Sequence, residues 1–185
     1  MKFETCIAFV LAAETGGSAA DGYRGGAYHL HPADPGGATK YGISQRLLDR
    51  VRPGRETRSL TLAQAKTIYR EVFWQPLRGD EIVQPRVALN LLDFAVTSGI
   101  HRAVKTAQQV INQAGRVLAE DGRLGPATLA RLNAGDLRLN AYRAARRAYY
   151  RGLNRPQFER GWCNRINQCQ QWRGADTGIS PNPKE

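Results

Sequence analysis

The chain has 185 residues, 42% of them hydrophobic, which is enough for one core with room for two lobes. No apolar run approaches the length of a membrane-spanning helix. A formal net charge of +11, from 27 Lys and Arg against 16 Asp and Glu, calls for an acidic partner; nucleic acid and an anionic cell envelope satisfy it equally.

In chain order, Phe3, Cys6, Ile7, Val10 and Leu11 recur at three- and four-residue intervals and predict a short helix. Glu14 continues their stripe one turn on, and Gly16-Gly17 then stop the helix. A carboxylate thus stands where an apolar residue is expected, in the last turn and at the negative end of the dipole. Partial burial and that dipole both oppose ionisation and suit Glu14 to act as a general acid; the alternative is a solvated Glu before a glycine turn. The start of the chain has a superficial likeness to a signal peptide, but its apolar part is short and Glu4 interrupts the basic end. The expectation is therefore a protein made in the cytoplasm of a bacterial host cell without a clear signal peptide.

From Glu14 to Ile43 the chain is dense in Gly, Pro, Asp, His and Tyr, a long irregular segment of the kind that carries function. His29 and His31 lie near Asp21 and Asp34, but no complete ligand set is visible. We expect a polar loop with no metal and no cofactor. Ile43 to Val51 reads as a short helix with Ser44 as its N-cap, and Thr61-Leu-Ala-Gln64 has the spacing of a capping box. The helix it starts carries Leu62, Ala65, Tyr69, Val72 and Phe73 and ends before Pro76. Trp74 suits either a core anchor or an aromatic face for a sugar ring.

A further helix, Arg86 to Ser98, is apolar around nearly its whole circumference, so Asp93 within it must find partners. A structural acceptor is the main reading and a second catalytic carboxylate the lesser one. Gln108-Gln109 and Asp121-Gly-Arg-Leu-Gly125-Pro126 form a helix, a glycine turn and a second helix. Leu137 to Leu153 is a basic helix whose Arg138, Arg143, Arg146, Arg147 and Arg151 predict a solvated face or a polymer-facing patch. Cys6, Cys163 and Cys169 are expected to be free thiols. Beyond Gly174 the sequence is small, polar and proline-bearing, the composition of a disordered tail.

Glu14-Thr-Gly-Gly, then Asp34-Pro-Gly-Gly-Ala-Thr39-Lys-Tyr41-Gly42-Ile43, resembles the N-terminal signature of glycoside hydrolase family 108, the phage-type N-acetylmuramidases. Tyr69 to Asp80, Asp93 to Gly99, the Asp121-Gly turn and Gly161-Trp-Cys-Asn-Arg165 extend the likeness over most of the chain. Thr15 and an extra segment ahead of Asp34 depart from the signature, and either Tyr23 or Tyr28 can stand for its tyrosine. The resemblance implies a mainly α, lysozyme-like helical fold with a long irregular active-site segment and an integral C-terminal helical wall-binding half. It places a catalytic region in 1-84, a peptidoglycan-binding-like region in 85-174 and a tail in 175-185. It implies an endolysin-type lysozyme that hydrolyses the β-1,4 bond between N-acetylmuramic acid and N-acetylglucosamine, with Glu14 as the catalytic acid. Asp34 and Thr39 are candidates to activate or orient water; Tyr41, Trp74 and Tyr28 are candidates to line the cleft. The expected partners are peptidoglycan glycan strands and the anionic envelope, with no specific nucleic acid, and the enzyme is expected to be a monomer acting in the periplasm or wall after release. Retention or inversion depends on whether the two carboxyl groups stand about 5 Å or roughly 6.5–9.5 Å apart.

Overall fold

The computed structural model of the chain describes residues 2–26, 28–30 and 36–172. Asp34, His31 and the expected tail lie outside the described residues. The architecture is mainly α, as expected. Its helices are α1 (Lys2–Thr15), α2 (Gln45–Val51), α3 (Leu62–Tyr69), α4 (Pro85–Ser98), α5 (Ile100–Gln113), α6 (Pro126–Asn133), α7 (Leu139–Gly152) and α8 (Pro156–Gln171). Two short antiparallel strands, β1 (Thr39–Lys40) and β2 (Ile43–Ser44), make a hairpin. No helix among the described residues is long and apolar enough to cross a membrane.

Two compact units divide the chain: one holds the residues through Cys6 together with Val72–Trp172, the other holds Ile7–Glu71. The division falls ahead of the 84/85 boundary drawn from the sequence. α1 belongs to both. It is also more enclosed than its one-sided stripe suggested, since no residue from Cys6 to Ala12 is more than 9% exposed. Phe9 and Ala12 are as deeply placed as the residues of the stripe, so this is a helix buried around its circumference.

In the smaller unit, Ser44 caps α2 by accepting from Leu47 N at 3.3 Å, and Ile43 belongs to β2 rather than to the helix. The capping box is formed: Gln64 N donates to Thr61 Oγ1 at 3.3 Å and Thr61 N donates to Gln64 Oε1 at 3.0 Å. After Tyr69 the helix widens into a π turn, Arg70–Trp74.

The larger unit is built on α4, which is buried from Val87 to Ala95, including Asn90 and Asp93. Asp93 is held by Arg146 of α7 and Arg165 of α8, each at 2.7 Å. Burial by itself drives the Asp93 carboxyl towards protonation, and the two guanidinium groups overcome this to hold it below the ordinary carboxylate range. The structural reading of Asp93 is thereby the one the fold adopts. The solvated basic face expected of α7 is corrected at two positions: Arg146 is 1% exposed and Arg143 4%. Arg143 Nε donates to Asn90 Oδ1 at 3.2 Å, so these arginines answer the polar groups that α4 buries.

Trp74 is 1% exposed. Its ring meets Phe3 edge-on at 5.5 Å, and Gly79 packs so closely over it that no side chain fits there. The expectation of a sugar-stacking Trp74 is therefore corrected: the ring is a core anchor. Between α5 and α6, Gln108 donates to Asp121 Oδ1 at 2.9 Å, the Arg123 carbonyl at 3.1 Å and Thr128 Oγ1 at 3.1 Å, and it accepts from Gly122 N at 2.9 Å. The Gln and Asp-Gly of this motif thus brace a loop. Cys6, Cys163 and Cys169 are free thiols.

Candidate active site

Glu14 lies in the last turn of α1, half-buried, in the smaller unit. The helix ends where the sequence predicts: Gly16 adopts φ +66° and its N–H returns to Ala12 O at 2.8 Å. Thr15, the residue that interrupts the family-like signature, is buried and closes the helix end. Its hydroxyl donates to Leu11 O at 2.8 Å and accepts from Gly17 N at 3.2 Å. The chain therefore leaves Glu14 in a fixed direction rather than fraying.

The extra segment that follows is organised by Asp21. Its Oδ1 accepts from Ser18 N at 2.7 Å and Arg24 N at 3.2 Å. The bond from Ser18, with help from Arg24 and Tyr23, holds this exposed carboxyl below its ordinary range. A side chain on Gly17 would meet Asp21 Oδ1 at 2.8 Å, so the tight turn needs glycine there. Tyr23 and Arg24 then take the left-handed conformation, φ +56° and +52°. Tyr23 points inward and is 3% exposed, whereas Tyr28 stays half-exposed with the Arg58 guanidinium 4.9 Å from its ring centre. Of the two candidate tyrosines, only Tyr28 is open to a ligand.

The hairpin supplies the next wall. Lys40 pairs with Ile43, leaving Tyr41-Gly42 as a two-residue turn with φ +53° and +76°. Positive φ at both positions is the type I′ geometry that suits the twist of a hairpin. Thr39 is half-buried and exchanges backbone bonds with His29 at 2.8 and 2.9 Å. The expectation that Tyr41 lines the cleft is corrected: it is 6% exposed, Gly26 lies flat against its ring, and its N–H donates to Gly26 O at 2.7 Å. A tyrosine at the turn of an isolated hairpin would face water; this one is covered because the preceding loop folds over it.

Gly42 brings the hairpin to Glu14. A Cβ on Gly42 would stand 2.6 Å from Glu14 Cγ and 2.5 Å from the hydroxyl of Tyr69. That hydroxyl, buried, donates to Tyr41 O at 2.9 Å. Sequence reasoning placed Tyr69 on the inward stripe of its helix and missed its hydroxyl; the available signal was that a buried tyrosine O–H needs an acceptor. Arg58 was missed too, lying in a polar turn without a distinguishing pattern.

A recess of ≈ 180 Å³ in the same unit is lined by Leu48, Arg52, Arg55, Leu60, Gln64 and Ile68 among others, and by none of the expected site residues. Among the described residues no three His, Cys, Asp or Glu side chains group as a metal site. What the geometry offers chemically is one half-buried carboxyl at a helix end, braced by a hairpin turn, with a half-exposed tyrosine and the cations Lys40 and Arg58 in the same unit. A carboxyl so fixed is suited to proton transfer.

Residues 9–99 match the family described as Glycosyl hydrolase 108. The chain is also similar to the solved structure of Brucella abortus SagA, with 33% identity and a TM-score of 0.69, covering 88% of this chain and 91% of that one. No curated protein matches it. The fold and these matches define a glycoside hydrolase. The chain belongs to glycosyl hydrolase family 108.

Proposed function

We propose that the protein is an N-acetylmuramidase that hydrolyses the β-1,4 bond between N-acetylmuramic acid and N-acetylglucosamine in peptidoglycan, with Glu14 as its general acid. The observation that carries this reading is the seating of Glu14: half-buried at the end of an enclosed helix and pressed by Gly42 in a hairpin turn. A carboxyl group held there can deliver its proton to the leaving glycosidic oxygen as positive charge develops on the sugar.

Asp34 is our candidate for the second group, activating water or stabilising the oxocarbenium-like centre, and Thr39 for orienting the water. Tyr28, the open tyrosine, is our candidate for contact with a sugar ring. The helices of the larger unit serve as the wall-binding part, and the net charge of +11 draws the enzyme to the anionic envelope. Its setting in this reading is phage lysis: a monomeric endolysin made in the host cytoplasm that meets its substrate in the periplasm or wall after release.

The test is digestion of purified peptidoglycan by the wild type and by a folded Glu14→Gln variant, with mass spectrometry of the products. Muramic acid reducing ends from the wild type, and almost none from the variant, are expected. Binding to the wall without fragments from either protein would leave a nonenzymatic wall-binding module instead. Equal cleavage by both would move the acid to another residue. An Asp34→Asn variant that cleaves at the wild-type rate would remove Asp34 from the mechanism.

A further inference from the structure

The turn at Tyr41-Gly42 comes up against two side chains that are far apart in the chain. One is Glu14, whose Cγ and Cβ lie 2.6 and 2.9 Å from the point where a Gly42 side chain would begin. The other is Tyr69, whose hydroxyl lies 2.5 Å from that same point. Tyr69 is 1% exposed, so its ring is fixed by the packing of α3. Its O–H donates to Tyr41 O at 2.9 Å, a bond made inside the unit where water does not compete.

We propose that Tyr69 is a positioning residue for the acid. By holding the Tyr41 carbonyl it keeps the turn pressed against the Glu14 methylene groups, and so selects one rotamer of that side chain. This rests on Glu14 being the catalytic acid. The physical reason is geometric. The turn contains two residues in the left-handed region, one of them a tyrosine for which that conformation is costly, so the hairpin alone is a poor brace. The hydrogen bond from α3 supplies the missing restraint, and Gly42, without a side chain, lets the backbone come close enough to act on Glu14. Misplacing an acid by a fraction of an ångström lowers the rate without changing how the substrate is held.

The test uses Tyr69→Phe, which keeps the ring and removes the hydroxyl, and Gly42→Ala, which disturbs the same contact from the hairpin side. For Tyr69→Phe on soluble peptidoglycan glycan fragments, kcat per folded molecule is expected to fall roughly tenfold while KM stays within about twofold. The double variant is expected to lose less than the product of the two single losses, because both act on one contact. Carbon-13 NMR of glutamate-labelled protein, with the Glu14 signal identified from Glu14→Gln, is expected to show that signal moved in Tyr69→Phe. An unmoved Glu14 resonance, an unchanged kcat or fully multiplicative losses would each overturn the proposal. The resonance needs no substrate: if the wild type cleaves no glycan, it is the muramidase reading that fails, and the NMR shift still decides whether Tyr69 sets the position of Glu14.

Discussion

Asp93 and Arg165 are 72 residues apart in sequence and meet at 2.7 Å, with Asp93 completely enclosed in α4 and Arg165 reaching it from α8. Arg146 completes the group from α7, so one carboxylate fastens three helices. Replacing it by Asn leaves two guanidinium groups facing a neutral amide in a dry interior. Asp93→Asn should cost about 3–5 kcal/mol of unfolding free energy, the usual result of removing one partner from a buried ionic group. Urea denaturation measures this; a loss below about 1 kcal/mol would mean that water or another residue compensates the arginines.

The same carboxylate gives a signed pH dependence. Its folded pKa is depressed, so its contribution is present above the unfolded value, about 3.9, and is lost as pH falls through the folded value. The gap in Tm between the wild type and Asp93→Asn should therefore be constant above about pH 5 and narrow as acid protonates Asp93 in the wild type. A gap that widened in acid would contradict the assigned direction.

Trp74 offers a clean separation of stability from binding. Trp74→Phe should lower unfolding free energy by about 1–3 kcal/mol, because Phe3 and Gly79 pack on the indole. KM for glycan fragments, measured on folded protein, should not change. A large rise in KM at unchanged Tm would restore the sugar-stacking role that burial argues against.

The thiols should react unequally. Burial pushes the Cys6 thiol up to about 12 and raises Cys169 further, and both are enclosed, whereas Cys163 is half-buried. Ellman's reagent should label Cys163 in the native protein and all three in guanidinium chloride. Rapid native labelling of Cys6 or Cys169 would show that α1 or α8 opens locally.

What the sequence told of this fold depended on whether the answer was local. Gly16 ends α1, Thr61 and Gln64 cap α3, and Pro126 opens α6, each for a reason contained in a few neighbouring residues. The position of Glu14 followed from the same kind of signal. Trp74 and Tyr41 did not, because an aromatic residue carries the same label whether its ring is covered by Phe3 or Gly26 or left open to a sugar. Arg146 looked like part of a solvated stripe until Asp93 was found to need it. Asp93 itself announced the need for partners, but nothing local said that they would come from α7 and α8. The hydroxyl of Tyr69 was hidden in the same way, since its acceptor is a backbone carbonyl in a hairpin 28 residues earlier.

The first turn of α1 has a consequence for the order in which this protein is made. Lys2 donates to the carbonyls of Asp80 and Ile82, the Cys6 thiol faces Pro85 O, and Phe3 packs on Trp74. Each of these partners leaves the ribosome some seventy to eighty residues after the residue it meets. The helix that presents Glu14 therefore cannot be anchored at its own beginning during early synthesis, and a chain cut short before Trp74 lacks all of these contacts. Contacts of such long sequence separation form late and slowly. A nascent or truncated product should then carry Glu14 on a helix unanchored at that end, and the anchoring arrives only once the polypeptide extends well past it.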